Sequence, residues 1–191
     1  MNKTILVLIN GHAGVGKDTF VNFCENYAEK EKPCKVYNIH RSDPPKRALY
    51  TLGWNGEKDE DTRELLKDMV DFMEKKGLLN QYLDNYIRFS RATNPCDLII
   101  FYHVRDPEVI CSLMEKYIDN PAIRPVSLLV KRDIEKPAEP NDWWGDLEKA
   151  EYAMTVQLPS QDLDTSRKIA ETFVDFLLDE EWEVIEQEEA K

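Results

Sequence analysis

Residues 11–19 read Gly11-His12-Ala13-Gly14-Val15-Gly16-Lys17-Asp18-Thr19 and hold three of the seven glycines in the 191-residue chain. The spacing from Gly11 to Lys17 fits GxxxxGK, the phosphate-binding loop (P-loop), in which glycines let backbone amides turn inward around a phosphate. This motif requires a strand before it and a helix after it. A short apolar run at 5–9 predicts the strand, and apolar residues at helical spacing from Lys17 to about Lys32 predict the helix. The alternative is a glycine turn that only opens a helix.

The P-loop assigns a role to each of its parts. Lys17 would bridge the β- and γ-phosphates of ATP and follow the charge of the transferred phosphoryl group. Asp18 stands where Ser or Thr usually supplies a hydroxyl to Mg²⁺, and Thr19 comes one residue late. Asp18 either holds Mg²⁺, directly or through water, or is only a favourable charge in the first helical turn. The candidate nucleotide-binding residues are Gly11, His12, Ala13, Gly14, Val15, Gly16, Lys17, Asp18 and Thr19, with Asp18 and Thr19 as candidate metal ligands.

The remaining pattern alternates strands and helices. Further strands are predicted at 36–40, 98–104, 126–130 and 153–158, and further helices at 62–76, 79–87 and 107–117 and near the C-terminus. Asp106 is the expected N-cap of the helix that begins at Pro107, and Asp164 or Thr165 that of the last helix. Residues 43–45 open a connector, and the polar segment 131–146 is a loop. This alternation predicts a three-layer α/β domain over 1–191 with about five strands in a mainly parallel sheet.

Composition excludes several classes of protein. The net charge is −12, which disfavours a nucleic-acid-binding protein because that affinity depends on clustered Lys and Arg. No apolar run approaches the length of a membrane span, and the N-terminus is too short and wrongly flanked for a signal peptide. The four cysteines show no CxxC spacing, so we expect reduced thiols and a cytoplasmic protein.

Five segments give the chain a family resemblance. Gly-Lys-Asp-Thr at 16–19 resembles the P-loop of phage-type deoxynucleoside monophosphate kinases and of the related animal-type phosphomevalonate kinases. Similar matches follow in the family's order at 43–47 (Asp-Pro-Pro-Lys-Arg), 62–68 (an Arg-containing helix), 104–108 (Val-Arg-Asp-Pro-Glu) and 129–132 (Leu-Val-Lys-Arg, the strand that leads into the lid). The resemblance implies a nucleoside-monophosphate-kinase-like P-loop NTPase, with a helical acceptor-binding region at 43–92 and a lid-like loop at 131–146. One departure is His103, which stands where the family carries an Asp that partners Mg²⁺.

The resemblance also implies the acceptor site. Arg63 would grip the acceptor phosphate, although an exposed Arg is the alternative, and Lys46 and Arg47 either join it or are a solvated pair. Arg105, after the central strand, and Arg132, beside the lid, are candidate catalytic residues together with Lys17. Asp43 completes the candidate substrate residues, because it would accept a proton if the acceptor were a hydroxyl; a phosphate acceptor needs no base.

The leading hypothesis is therefore an enzyme that uses ATP and Mg²⁺ to phosphorylate a small phosphorylated acceptor, a (deoxy)nucleoside monophosphate. The alternatives are a P-loop kinase of a non-nucleotide metabolite and a nucleotide-binding protein with little transferase activity. We expect a small-molecule acceptor as the partner, with no nucleic acid and no membrane. The oligomeric state is open, and a homodimer is one alternative.

Overall fold

The computed structural model describes residues 2–57, 59–132 and 150–179. Within them five strands and six helices follow one another. They are β1 (Thr4–Asn10), α1 (Lys17–Glu31), β2 (Cys34–His40), α2 (Asp43–Thr51), α3 (Glu60–Lys75), α4 (Leu78–Thr93), β3 (Asp97–His103), α5 (Pro107–Ile118), β4 (Arg124–Arg132), β5 (Met154–Leu158) and α6 (Leu163–Leu178).

The strands form one sheet in the order β2-β3-β1-β4-β5. Strand β1 pairs in parallel with both β3 and β4, and β4 pairs in parallel with β5. Because parallel strands end at the same edge of a sheet, Asn10, His103 and Arg132 finish their strands on one side of the molecule. Ligands of open α/β sheets bind at this carboxyl edge. The sheet thus places the P-loop, which directly follows β1, where a ligand is expected.

The chain divides into two compact units. The first comprises residues up to Asn38 and from Cys96 onward, and the second is Ile39–Pro95. In the first unit, alternate side chains of β1 are buried on the two faces of the sheet. One face packs against α1 and α6, where the rings of Phe20 and Phe173 meet edge to face at 5.4 Å. Helix α5 packs on β4 and buries Ile110 and Leu113 outside that cluster. The predicted three-layer α/β architecture is confirmed.

The second unit contains α2, α3 and α4, each of which buries only one stripe of apolar residues. The buried stripe is longest on α4, where Leu79, Leu83 and Ile87 recur at helical spacing. This unit contains the range 43–92, for which acceptor binding stays a prediction.

Three sequence-based boundaries are wrong. Residues 43–45 begin α2 rather than a connector, because prolines fit the first helical turn, whose N–H groups have no partner within the helix. The N-cap of α6 is Asp162, whose carboxylate accepts a hydrogen bond from Thr165 N; Asp164 and Thr165 lie inside the helix. Residues 131–132 continue β4 rather than open the loop, while the rest of the predicted lid-like loop lies outside the described residues.

Two further expectations can be compared with the structure. All four cysteines are free thiols. Among the described residues, no helix is both long and apolar enough to cross a membrane.

Candidate functional site

The P-loop leaves β1 at Gly11 and ends at Gly16, the N-cap of α1. Gly11 has φ +144°, and a Cβ there would lie 2.3 Å from the carbonyl oxygen of Val130 in β4, so no other residue fits. Gly16 adopts a left-handed conformation and offers no side-chain cap to α1. The first amides of a helix without a side-chain cap are available to an anion, and the helix dipole favours negative charge there. The backbone therefore has the form of a phosphate site.

A buried side chain fixes the P-loop from inside. Val15 is fully buried in the cluster that also contains residues of β1, β4 and α1. Its amide donates a 3.5 Å hydrogen bond to the carbonyl of His12. Ala13 and Gly14, between these two residues, are exposed. The P-loop thus keeps its shape because one side chain is anchored in the core while the backbone around it faces solvent.

Lys17 folds back over the P-loop. Its Nζ donates hydrogen bonds to the carbonyl oxygens of Gly11 at 2.6 Å and His12 at 2.8 Å. These bonds hold the ammonium beside the backbone that would receive the phosphates. The positive charge of Lys17 is thus held against the P-loop backbone.

Asn10 was missed by sequence reasoning. Its side chain is almost fully buried at the end of β1, and its Oδ1 accepts a 2.8 Å hydrogen bond from Gly11 N. Its Nδ2 donates to the carbonyl oxygen of Arg105 at 3.1 Å and to the hydroxyl oxygen of Tyr152 at 2.9 Å. Burial raises the pKa of Tyr152, and the Asn10 hydrogen bond acts against that rise. One amide therefore joins the P-loop to the segment after β3 and to the segment before β5.

Arg132 and Arg105, both predicted as catalytic, differ in their surroundings. Arg132 ends β4, and its guanidinium atoms lie 3.1 to 3.3 Å from where a Cβ on Gly16 would stand. Its Nε is buried and has no hydrogen-bond partner within the described residues. The structure therefore brings Arg132 to the P-loop. Arg105 follows β3 with an exposed side chain, and only its carbonyl is joined to the P-loop, through Asn10.

Near the start of α1, three side chains converge, which we call the Asp18–Asn38–His103 cluster. His103 Nε2 lies 2.7 Å from Asn38 Oδ1 and 3.8 Å from Asp18 Oδ1. Asn38 Nδ2 donates a 3.4 Å hydrogen bond to Asp18 Oδ1. His103 is 9% exposed, whereas the Asp18 side chain is 66% exposed. Thr19, the other predicted metal ligand, is exposed. Asp18 thus has partners that the sequence did not predict.

In the second unit, the predicted substrate residues lie on α2 and α3. Asp43 Oδ2 accepts a 2.8 Å hydrogen bond from His40 N, and Lys46 Nζ lies 3.7 Å from Asp43 Oδ1. Arg47 and Arg63 are exposed. The structure therefore joins Asp43 to Lys46 and leaves the two arginines at the surface of the unit.

Two further polar residues of the second unit were missed. The hydroxyl of Tyr82 in α4 is buried and lacks a hydrogen-bond partner in the described part of the chain. Burial raises the pKa of Tyr82, the positive charge of Arg47 lowers it and the negative charge of Asp43 raises it, so all three groups share one region. Arg41 forms an ion pair with Glu74. A single Tyr in an apolar helical stripe gives no sign in the sequence that its hydroxyl lies in the region of Arg47 and Asp43.

Comparison with known proteins shows the fold. No model of a known protein family matches the sequence, and no curated protein matches it. Among solved structures, the chain is similar to the APS kinase of Mycobacterium tuberculosis in complex with AMPPNP and APS, with 11% identity and a TM-score of 0.50. That match covers 94% of this chain and 100% of the other.

Two more distant likenesses concern a gluconokinase and a designed protein. The gluconokinase of Sinorhizobium meliloti has 13% identity and a TM-score of 0.42 over 92% of this chain and 93% of its own. A de novo designed protein with a P-loop NTPase fold has 14% identity and a TM-score of 0.38, and the match covers 95% of this chain and 96% of the designed one. The fold and the P-loop geometry together place the chain in the class of P-loop NTPase folds, as the sequence predicted.

Proposed function

We propose that this protein is an ATP-dependent phosphotransferase that moves the γ-phosphoryl group to a small phosphorylated acceptor of the (deoxy)nucleoside monophosphate class. The observation that carries the proposal is the ordered P-loop, in which Lys17 is held on the carbonyls of Gly11 and His12. A glycine turn that only opened a helix would need neither this lysine nor a β4 backbone packed directly on Gly11.

On this proposal the first unit binds ATP and stabilises its transferred group. The P-loop amides and the N-terminus of α1 hold the phosphates. Lys17 stabilises the charge that develops as the γ-phosphoryl leaves, and the guanidinium of Arg132, already against Gly16, adds a second positive charge. A divalent cation would supply further neutralisation of the phosphate charge, and Asp18 is the residue that would hold it.

The choice of a phosphorylated acceptor follows from the charges of the second unit. Lys46 and Arg47 lie on α2 and Arg63 on α3, and a guanidinium fork suits bidentate binding of a phosphate. The Tyr82 hydroxyl, which lies near Arg47, is a further donor for the acceptor. Asp43 is the proton acceptor only if the acceptor is a hydroxyl, since a phosphate is already an anion.

The test is ADP release, coupled to an indicator reaction, from ATP with either Mg²⁺ or Mn²⁺ present. The panel contains all ribo- and deoxynucleoside monophosphates, phosphomevalonate, and hydroxylated sugars and acids. Lys17→Ala is the blank, and Lys30→Ala, an exposed lysine of the same helix, is the matched control.

We expect turnover with a nucleoside monophosphate that falls by about a thousandfold in Lys17→Ala and is unchanged in Lys30→Ala. Turnover only with a hydroxyl acceptor would overturn the proposed class of acceptor, while the proposal that the protein is a kinase would stand. ATP binding without ADP release from any acceptor would overturn the transferase itself.

A further inference from the structure

The Asp18–Asn38–His103 cluster has the composition of a metal site rather than of a simple hydrogen-bond network. It contains one carboxylate, one amide and one imidazole, and the three side chains lie within hydrogen-bond or ion-pair distance of one another. Asp18 belongs to the first turn of α1, and His103 ends β3. The cluster therefore lies at the helix N-terminus that follows the P-loop.

The two distances from His103 Nε2 to the oxygen atoms of its neighbours fit one shared ion. Ligand atoms at about 2.1 Å from a metal can be at most about 4.2 Å apart. His103 Nε2 is 3.8 Å from Asp18 Oδ1 and 2.7 Å from Asn38 Oδ1. An ion would replace the His103–Asn38 hydrogen bond, with the imidazole proton on Nδ1 so that Nε2 offers its lone pair.

Access to the cluster is open from one side. The Asp18 side chain is 66% exposed, whereas His103 is 9% exposed. A hydrated ion can thus approach through Asp18 and exchange some of its water for the buried imidazole and the amide oxygen. A metal site needs such an entry path as well as suitable ligands.

The donor set decides which ion is favoured. Mg²⁺ prefers a nearly octahedral shell of oxygen atoms and gives up water reluctantly, whereas Mn²⁺ accepts the same oxygen ligands and, as a first-row transition metal, also a nitrogen ligand beside them. We propose that Asp18, Asn38 and His103 form a divalent-cation site that binds Mn²⁺ in preference to Mg²⁺. This preference is a property of the nucleotide-free protein and does not depend on which acceptor is phosphorylated.

The experiment titrates the nucleotide-free protein with Mn²⁺ and follows the loss of the free-ion signal by electron paramagnetic resonance. Pulsed electron paramagnetic resonance of the bound Mn²⁺ then detects the hyperfine coupling to nitrogen that a coordinating imidazole produces. Mg²⁺ is added as the competitor. His103→Asp replaces the nitrogen donor by oxygen, and Asp18→Asn removes the exposed carboxylate. Asp164→Asn is the matched control, because Asp164 is an exposed carboxylate on α6.

We expect one bound Mn²⁺ with nitrogen coupling, displaced only by a large excess of Mg²⁺. His103→Asp should abolish the coupling and reduce the preference for Mn²⁺ over Mg²⁺ by about tenfold or more. Asp18→Asn should weaken Mn²⁺ binding by about tenfold or more, while Asp164→Asn should leave it unchanged.

Absence of nitrogen coupling in the wild-type protein, or an unchanged preference in His103→Asp, would overturn the proposal. If His103→Asp does not fold, the wild-type coupling and the weaker Mn²⁺ binding of Asp18→Asn, whose side chain is exposed, still decide it. No ATP or acceptor is present, so this outcome is separate from that of the proposed phosphotransferase.

Discussion

The P-loop of the first unit and the helices of the second unit hold their candidate residues in different ways. In the P-loop, Gly11, Val15 and Lys17 are fixed by the β4 backbone, by the core and by two carbonyls. In the second unit, Arg47 and Arg63 are exposed on helix surfaces. The P-loop is thus part of the fold, whereas the predicted acceptor residues can change without disturbing the fold.

The largest effect expected from this difference is that of Gly11→Ala. The added Cβ would lie 2.3 Å from the Val130 carbonyl oxygen. The alanine would also have to adopt a φ of +144°, which residues with a side chain rarely do. We expect a loss of at least about 3 kcal/mol in the free energy of unfolding, measured with denaturant, together with loss of ATP binding.

Gly14→Ala is the matched control for this change. Gly14 also has a positive φ of +79°, but an added Cβ meets nothing within 4 Å. Its cost should be only about 1 to 2 kcal/mol, from the left-handed conformation alone. Equal costs for the two variants would contradict the claim that β4 packs on the P-loop at Gly11.

The next effect concerns Asn10, which joins three parts of the first unit. Asn10→Ala leaves Gly11 N, the Arg105 carbonyl and the Tyr152 hydroxyl without this partner. We expect a loss of about 2 to 3 kcal/mol in the free energy of unfolding, measured by denaturant titration. Tyr152→Phe removes only one of these bonds and should cost about 1 kcal/mol. If both variants unfold like the wild type, Asn10 does not hold the P-loop.

Variants of the exposed arginines of the second unit test whether these residues affect acceptor binding without affecting stability. Arg63→Ala and Arg47→Ala should each raise the KM for the acceptor by about 10- to 100-fold, since each removes a charged hydrogen bond. Their free energies of unfolding should stay within about 0.5 kcal/mol of the wild type, because both side chains are exposed. Arg88→Ala, an exposed arginine of α4, is the control. If Arg63→Ala and Arg47→Ala have the same KM for the acceptor as Arg88→Ala and the wild type, these two arginines do not bind the acceptor.

The smallest effect concerns a feature that both units share. Asp59 caps α3 and Asp162 caps α6, and hydrogen bonds from Thr62 and Thr165 lower the pKa of each carboxyl below its usual range. Since the folded-state pKa is the lower one, each cap stabilises the protein above the unfolded-state pKa of about 3.9. That contribution disappears as the pH falls through the folded-state pKa.

Thermal unfolding between about pH 2 and pH 6 measures this contribution. Asp59→Asn and Asp162→Asn keep an acceptor oxygen but cannot titrate, so each should flatten the acid loss of stability slightly. Asp164→Asn, which removes an exposed carboxylate that caps no helix, is the control. A wild-type slope in both cap variants would show that the caps do not contribute to acid sensitivity.

The sequence predicts features whose determinants are close together along the chain. The P-loop could be recognised because its glycines, Lys17 and flanking apolar runs occupy about 30 consecutive residues. The Asp106 N-cap and the start of α5 at Pro107 were also predicted correctly, because a cap and its helix are neighbours in sequence.

Features that depend on distant parts of the chain could not be predicted in the same way. Asn10 lies 95 residues from Arg105 and 142 residues from Tyr152, so nothing near it indicates three hydrogen bonds. The cluster around Asp18 likewise needs β3 to return beside the P-loop, which requires the three-dimensional fold. Residues 43–45 were predicted as a connector rather than a helix start because proline both ends strands and begins helices.

We propose that the P-loop serves phosphoryl transfer to a small phosphorylated molecule. The most direct measurement follows a radiolabelled γ-phosphoryl group from ATP into a mixture of nucleoside monophosphates, with the products separated by chromatography. We expect label in a nucleoside diphosphate with the wild-type protein and none with Lys17→Ala. Label that stays in ATP or appears only as inorganic phosphate, while the protein binds ATP, would contradict it.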